Sequence, residues 1–503
     1  MKSKSTYLKV LLLFIGILIL LNILASRHYL RLDITEDKRY TLGASTKEIL
    51  KDLPEPVTIT AYFSGNLPPM LDNLRRDLRD LLSEYVSVSK GMVAYEFIDP
   101  LKEPALEEKA KQEGVSTVDI GVRENDKYTQ QKAFMGAVVQ VGEQSEAIPV
   151  IQSSSGLEYS LTTAIKKLSV KEKPPVGFLQ GHGEPSVNAM VQARQSLNIL
   201  YQLEDVYLND TTDALLKYNT LAIIGPTDSI PPGHLSQIDE FLKRGGSLLI
   251  AMNRVNADLN NSPMGIEITT GLESWLAKKG IHVENSFALD INCQVIQFGI
   301  QRGSFTEIRS AVFPYIFAAK DFSKHVVSGG LEQVLFKFAS PISFSGDSMV
   351  KFTPLIKTSA KSTTEQAQTY FNLERQWKEQ DFPMSGLTVA AAVEGPFNGG
   401  SPAKMIVIGD ADFPLSQQGQ QAIPDNISLF VNSIDWLTDQ TGLVSLRTKG
   451  ATARPLDELT DGKRSFLKFL NFFLPLFFVV GYGIFRFQKN RIKRLKRKEV
   501  GYV

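Results

Sequence analysis

The strongest constraint on this chain is an apolar run near its C-terminal end that is followed at once by a basic one. The apolar run, Phe466–Phe485, is twenty residues long, and a helix of that length spans about 30 Å, the thickness of a bilayer's hydrocarbon core. The next stretch, Arg486–Lys498, carries eight Lys or Arg and no acid, which keeps such a tail on the cytoplasmic side. The sequence therefore predicts a transmembrane helix over 466–487 and a basic cytoplasmic tail over 488–503. The alternative is a buried core helix.

A second apolar run lies near the N-terminal end. Val10–Ala25 is preceded by three lysines, which favours an uncleaved transmembrane anchor over residues 1–30. The alternative is a cleaved signal peptide. With both anchors, the chain crosses the cell (inner) membrane twice, contacts membrane lipid, and has both termini in the cytoplasm. Everything between the anchors, about residues 27–465, is then periplasmic or otherwise extracytoplasmic.

The composition excludes several classes of function. The 503 residues have a net charge of +1, and eight of the 55 Lys or Arg residues are in the basic stretch 486–498, so the remainder is mildly acidic and shows no basic stripe for nucleic acid. The single cysteine, Cys293, excludes an intramolecular disulfide and a thiolate zinc cluster. We expect it in the core, with an intermolecular bridge as the alternative. The histidines show no HExxH spacing. We expect neither a metal nor a cofactor.

Residues 31–171 are predicted to form a thioredoxin-like α/β domain. Strand patterns at Val57–Phe63 and Val93–Ile98 alternate with helical patterns, and the whole segment gives the order β-α-β-α-β-β-α. The redox motif of that fold follows the first strand. Here that position, Ser64–Pro68, holds no cysteine. We therefore expect a scaffold without redox activity.

Residues 172–445 are predicted to form a second α/β domain, a doubly wound parallel sheet. A strand, a turn and a helix recur along this segment, and the strands are short apolar runs, as buried parallel strands are. These runs are Val176–Leu179, Leu221–Ile224, Ser247–Met252 and Lys404–Ile408. Residues 281–400 show no regular pattern and are interpreted as an insertion, and residues 446–465 as a linker to the second anchor.

Polar side chains follow the carboxyl ends of these strands, where ligands bind to an open parallel sheet. The candidate ligand-binding residues are His182, Glu184, Asp228, Asp410 and Asp412. They could form an acid–base pair or a carboxylate metal site; we favour the alternative, that they are turn and N-cap residues of the helices that follow. The chain has no P-loop, no complete dinucleotide-binding glycine motif and no nucleophile elbow. We therefore assign no catalytic residues.

Several short motifs, in this order, resemble the gliding-motility GldG type of ABC transporter auxiliary protein. They are Leu32-Asp33-Ile34-Thr35, Tyr40-Thr41-Leu42, Leu157–Thr162, Ala390–Pro396, Gly409–Phe413 and Asn432–Leu437. The resemblance runs over nearly the whole chain, anchors included. It implies an extracytoplasmic, two-anchor subunit beside an ABC permease and a cytoplasmic ATPase. It also implies a middle domain similar to class I glutamine amidotransferases and to a domain of intraflagellar transport proteins. The amidotransferase cysteine is absent, so that activity is not implied.

Three functions are compatible with these observations. We favour a non-enzymatic auxiliary or substrate-engaging subunit of an ABC transporter, which would depend on a separate ATPase because this chain has no ATPase motif. The first alternative is an extracytoplasmic hydrolase of glycan or peptide, with His182, Asp410 and Asp412 as its polar centre. The second is a structural tether whose N-terminal domain binds another envelope protein.

Overall fold

The computed structural model describes most of the chain between the two predicted anchors. It also describes the C-terminal helix. The described residues are 13–14, 16–17, 33, 41–65, 67–124, 127–151, 153–154, 156–169, 173–209, 214–257, 259, 264–302, 305–397, 399–415, 423–438 and 461–499. The chain divides into two compact units, residues 1–452 and residues 453–503, and each is described by itself.

The N-terminal part of the first unit is a five-stranded mixed sheet packed against helices. Its elements are α1 (Ala44–Lys51), β1 (Val57–Phe63), α2 (Pro69–Val88), β2 (Val93–Ile98), α3 (Pro104–Gln112), β3 (Thr117–Glu124), β4 (Lys127–Val141), β5 (Gln144–Ile148) and α4 (Leu157–Ser169). Strand β1 pairs in parallel with β2 and antiparallel with β4, and β4 also pairs antiparallel with β3 and β5. The mixed α/β class is confirmed, and the thioredoxin-like assignment stays a prediction.

One buried polar network ties three helices of this part together. The Glu158 carboxylate on α4 accepts a hydrogen bond from the Gly43 N–H at 2.6 Å and another from the Thr46 hydroxyl at 2.6 Å, which fixes the start of α1. The Tyr85 hydroxyl on α2 lies 2.7 Å from the Thr162 hydroxyl on α4. Burial raises the pKa of Tyr85, so the phenol stays neutral in this network.

The second part of the first unit is built on an eight-stranded sheet. Its elements up to the predicted insertion are β6 (Pro175–Gln180), α5 (Val191–Leu197), β7 (Gln202–Tyr207), β8 (Thr220–Ile224), α6 (Pro232–Lys243), β9 (Ser247–Ala251), β10 (Val255–Ala257), β11 (Gly265–Glu267) and α7 (Leu272–Ala277). The elements that follow are β12 (Ile281–Val283), β13 (Ser286–Asp290), β14 (Cys293–Arg302), β15 (Phe305–Ala319), β16 (Asp321–Phe322), β17 (Val334–Lys337), β18 (Ile342–Phe344), β19 (Lys351–Lys357), β20 (Ser362–Gln366), β21 (Thr388–Pro396), β22 (Pro402–Ile408) and α8 (Pro424–Thr438).

The strand order of this sheet is β16-β19-β21-β22-β9-β8-β6-β7. The five strands from β22 to β7 are parallel, and β16, β19 and β21 extend them antiparallel at one side. Every residue of β8 and β9 is buried, because helices and loops cover both faces. The parallel sheet predicted from sequence is therefore the larger portion of a mixed sheet.

The predicted insertion over 281–400 is not irregular, and that expectation is corrected. It supplies three strands of the main sheet and a separate three-stranded sheet in the order β14-β15-β17. Proline inside two of its strands, Pro314 in β15 and Pro354 in β19, breaks the usual strand pattern. The register of β19 shifts next to Pro354, as at a β-bulge. The single thiol, Cys293, is half-buried at the start of β14, and burial raises its pKa.

The second unit is one long helix, α9 (Asp461–Glu499). Residues 461–495 form the one helix, among those described, that is long and apolar enough to cross a membrane. An 18-residue window of this helix has a mean hydropathy of 1.7 and is not buried within the protein. The helix begins inside the predicted linker and continues through the basic segment. The predicted bounds of the membrane-spanning part, 466 and 487, stay a prediction. The predicted anchor over 1–30 lies almost wholly outside the described residues, as do residues 446–460 of the predicted linker.

The close approach at Gly409 yields a test of the fold. A Cβ on Gly409 would overlap the carbonyl oxygen of Ser340, whereas a Cβ on Gly233, in helix α6, would meet nothing. We expect Gly409→Ala to lower the free energy of unfolding by about 2–3 kcal/mol, because backbone must move. Gly233→Ala should leave it unchanged or raise it by less than about 1 kcal/mol. Urea unfolding of the full chain in lipid nanodiscs measures both, and equal effects would contradict the packing described.

Candidate functional site

The carboxyl ends of the parallel strands bring the predicted site residues to one edge of the sheet. His182 follows β6, Asp228 follows β8, and Asp410 follows β22, while Asn253 follows β9. The strands β22, β9, β8 and β6 are neighbours, so their ends form a continuous polar row, where open α/β sheets bind ligands.

Three side chains at the end of β6 form what we call the histidine cluster: His182, Glu184 and His234. One oxygen of the Glu184 carboxylate accepts the backbone N–H of His182 at 2.6 Å, and the other lies 3.0 Å from its ring Nδ1. His182 Nε2 lies 2.8 Å from Nδ1 of His234 on α6. When Nδ1 of His182 donates to the Glu184 carboxylate, Nε2 of the neutral His182 ring accepts a hydrogen bond from the Nδ1–H of His234. His182 and Glu184 are buried and His234 is half-buried, so the cluster connects the interior to the surface.

The turn that carries His182 depends on two glycines. Gly181 and Gly183 have positive φ angles of 109° and 82°, which only glycine adopts without strain. A Cβ on Gly183 would also overlap the hydroxyl of Thr227. The carbonyl oxygen of His182 accepts hydrogen bonds from the N–H groups of Thr227 at 3.0 Å and Asp228 at 2.8 Å. Asp228 therefore meets this turn through its backbone, and its side chain is exposed.

The residues at the ends of β22 and β9 form a second group, the carboxylate cluster: Asp410, Asp412 and Asn253. Asp410 is fully buried. Its two oxygens accept the N–H groups of Lys337 and Asp412, each at 2.7 Å. Asn253 accepts the N–H of Ala411 at 2.7 Å and donates to Asp412 at 3.3 Å. Asp412 is half-buried.

Burial raises the pKa of Asp410 to about 8, and the neighbouring Asp412 carboxylate adds to this effect. The two N–H groups that Asp410 accepts act in the opposite direction, because they favour the charged form. A carboxyl group that is neutral near pH 7 can donate a proton or a hydrogen bond. Such perturbed groups concentrate at functional sites, although ion-pair and turn networks produce them too.

The two clusters do not form one catalytic constellation. Within the described residues no hydrogen bond joins them, and Gly225 lies between, with its Cβ position 3.2 Å from Ala411 and 3.6 Å from Pro185. Both ring nitrogens of His182 are engaged by Glu184 and His234, so neither hydrogen-bonds a hydroxyl or thiol. In the part of the chain that the structure describes, no group of three His, Cys, Asp or Glu could hold a metal ion.

Sequence reasoning missed three residues of this edge. Asn253 follows a parallel strand just as Asp410 does, so the same rule could have selected it. His234 lies in the first turn of α6, and no local signal ties it to His182. The third is Lys337, whose backbone N–H donates to Asp410. The next residue, Phe338, has a φ of 54°, a rare conformation for a bulky residue. Only the folded chain shows the contact between Lys337 and Asp410, which spans 73 residues.

A cavity of about 900 Å³ opens beside the carboxylate cluster. Asp412 and Lys337 lie on its wall, together with apolar side chains such as Leu335 and Phe338 and the segment 296–299 of β14. Its size and its mainly apolar lining with a few polar groups match those of ligand-binding pockets.

Comparison with protein families gives two matches. A family model described as "ABC-type uncharacterized transport system" matches residues 173–438, just over half of the chain. A second model, a domain of unknown function, matches residues 36–140. The first match covers the eight-stranded sheet and both clusters, and the second covers most of the N-terminal sheet.

Comparison with individual proteins gives one relative over the full length. An "Uncharacterized protein" of Borreliella burgdorferi is 22% identical over 516 residues, which cover 98% of this chain and 99% of that protein. Among solved structures, the mmIFT52 N-terminal domain aligns with a TM-score of 0.36 at 13% identity, over 52% of this chain and 97% of that one. A putative ThuA-like protein from Parabacteroides merdae aligns with a TM-score of 0.27 at 8% identity, over 58% and 94%. Both TM-scores are too low to establish a common fold.

The buried carboxyl group of Asp410 predicts a pH dependence of stability. Its pKa is raised from 3.8 to about 8, so between these values the folded chain holds a proton that the unfolded chain has lost. Stability therefore falls as the pH rises through this window and levels off above it. We expect Asp410→Asn to remove that fall while adding a constant offset, since one N–H loses its acceptor.

The measurement is urea unfolding of the full chain from about pH 5 to about pH 9, which covers the fall and the level region expected above it. Asp412→Asn is the matched variant, because it removes the neighbouring charge and should shift the end of the fall to lower pH. An unchanged slope in Asp410→Asn would show that Asp410 is ionised throughout.

Proposed function

Because the chain belongs to the family described as ABC-type uncharacterized transport system, we propose that it is a membrane-anchored accessory subunit of an ABC transporter. It would work beside a permease and a cytoplasmic ATPase, since its sequence carries no ATPase motif of its own. The observation that carries the proposal is the family match over the eight-stranded sheet, in a chain whose α9 is long and apolar enough to cross a membrane.

We further propose a two-pass topology with both termini in the cytoplasm and the main domains outside it. The basic segment of α9 after Phe485 supports a cytoplasmic C-terminus, and the apolar run Val10–Ala25 supports the first anchor. The motifs that resemble the gliding-motility type support the proposal that the chain is an auxiliary of that type. The thioredoxin-like and amidotransferase-like assignments belong to the same proposal.

We propose that the role is binding and not catalysis. The polar groups of the strand-end edge are engaged with one another and with backbone N–H groups: Glu184 and Asp410 each accept a backbone N–H on one or both oxygens, and His182 uses both ring nitrogens. Buried polar groups whose hydrogen bonds are made within the protein in this way hold loops in place. The exposed Asp228 and half-buried Asp412 remain to contact a partner or substrate.

An extracytoplasmic hydrolase is the second candidate, because one observation favours it. The raised pKa of Asp410 would suit a general acid. A hydrolase of this kind would need a water or nucleophile positioned between Asp410 and Asp412, and turnover of a glycan or peptide by the purified full chain would replace the first proposal.

Recovery of partners from native membranes tests the accessory role. The tagged full chain is extracted in mild detergent and its partners are identified by mass. We expect an ABC permease and its ATPase in a fixed ratio to the chain. Reproducible recovery of the folded chain alone would contradict the proposal.

Alanine variants in the same experiment test the binding edge. Asp228→Ala and Asp412→Ala should reduce transport or recovery of the partners, because they remove the two carboxylates of this edge that reach the surface. Asp321→Ala is the matched control, since this exposed residue lies on β16 at the far edge of the sheet. Equal behaviour of all three variants would reject the edge as the binding surface and leave the subunit role intact.

A further inference from the structure

The cavity beside the carboxylate cluster has one positive and one negative side chain on its wall, Lys337 and Asp412. On β17, Leu335 and Lys337 both line the cavity, and Phe336 between them is buried in the core. This is the alternation expected of side chains along a strand. Nζ of Lys337 lies 5.5 Å from the ring centroid of Phe338, which also lines the cavity. The ammonium group of Lys337 is therefore at the cavity wall.

A single buried carboxyl group holds both of these residues. One oxygen of Asp410 accepts the N–H of Lys337 and the other accepts the N–H of Asp412, each at 2.7 Å. Among the described residues, neither charged side chain forms an ion pair. Oδ1 of Asp412 accepts a hydrogen bond from the Asn253 amide at 3.3 Å, and Nζ of Lys337 lies near the Phe338 ring. Two opposite charges thus lie close together without neutralising each other, and both can make charge-assisted hydrogen bonds to a ligand.

Most of the remaining lining is apolar and half-buried. A residue that is half-buried leaves part of its surface for a bound molecule to cover. Six apolar residues of the lining are of this kind: Leu259, Ile296, Phe298, Ile316, Leu335 and Leu373. The volume of about 900 Å³ is near the upper end for ligand pockets, so the ligand that fills it is larger than a single small ion or solvent molecule.

We propose that this cavity binds a small zwitterionic amphiphile, a molecule with an ammonium group, an anionic group close to it and one apolar chain. The ammonium group pairs with Asp412, the anionic group pairs with Lys337, and the chain covers the apolar lining. A ligand with one charge is disfavoured, because an anion meets the Asp412 carboxylate and a cation meets the Lys337 ammonium group. The inference rests on the binding role proposed above for Asp412, and it names the class of ligand that this part of the edge takes.

The test is calorimetric titration of the full chain in lipid nanodiscs, with empty nanodiscs as the reference for partition into lipid. Four probes share a decyl chain. Decyl phosphoethanolamine and 2-aminododecanoic acid are zwitterions, whereas decyl phosphate and decylamine each carry one kind of charge. We expect a zwitterion to saturate at one per chain and to bind at least about tenfold more tightly than either singly charged probe. The tighter of the two zwitterions shows whether the anionic group is a phosphate, as in lipids, or a carboxylate, as in amino acids.

Two variants test the role of each charge. Lys337→Gln and Asp412→Asn both keep the backbone N–H that donates to Asp410. Lys337→Gln should lose the discrimination against decylamine, and Asp412→Asn should lose the discrimination against decyl phosphate. These opposite changes in selectivity cannot come from a general loosening of the fold. Lys351→Gln is the matched control, because this lysine lies on β19 with 70% of its side chain exposed; it should bind like the parent. Circular dichroism confirms that all three variants are folded.

The length of the probe's chain tests the apolar lining. Shortening the decyl chain of the preferred zwitterion to octyl should weaken binding about fifteenfold, because two CH₂ groups are no longer buried. An affinity that does not depend on chain length would show that the chain stays in solvent, and would overturn the proposal.

Three other results would overturn it. The first is the absence of saturable binding by both zwitterions. The second is a singly charged probe that binds as tightly as the zwitterions. The third is an equal loss of all four probes in Lys337→Gln and Asp412→Asn. Because the titration measures binding by this chain alone, these results would reject the ligand and leave the accessory role to the recovery of partners.

Discussion

The parallel pairing of β22, β9, β8, β6 and β7 is the constraint on which the rest of this structure depends. Parallel strands that are buried on both faces must place their polar residues at their ends. Since every strand of the set runs the same way, the polar ends meet at one edge. His182, Asp228, Asn253 and Asp410 reach that edge from positions as far apart as 228 residues.

The same constraint explains how the edge is stabilised. Loops that leave parallel strands carry N–H groups without ladder partners, and buried ones must be satisfied. Glu184 and Asp410 satisfy them, and Asn253 links the end of β9 to the end of β22 through Ala411. Removing water from these carboxyl groups raises the pKa of Asp410. The perturbed pKa is thus a consequence of loop closure, and it supports a preorganised binding edge as readily as acid–base chemistry.

The sequence predicted what depends on local patterns. The runs that became β1, β2, β6, β8, β9 and β22 are continuous or alternating apolar stretches, and their ends identified all five candidate residues. What escaped prediction depends on distant contacts. The strands of 281–400 are interrupted by Pro314 and Pro354 and are stabilised by pairing with each other and with β22. The donor to Asp410 comes from Lys337 on β17, and His234 meets His182 from another helix; neither contact has a sequence signal. The extent of α9 was underestimated, because the basic segment after Phe485 continues the helix without a break.

The family match and α9 support a chain that acts at a membrane beside an ABC transporter. We propose that the polar edge is the surface through which it acts. The most direct test is ATP hydrolysis by the recovered permease and ATPase, reconstituted in nanodiscs with and without this chain. A severalfold change in the hydrolysis rate on adding the chain is the result expected of an accessory subunit. An unchanged rate at saturating amounts of the folded chain would contradict that role.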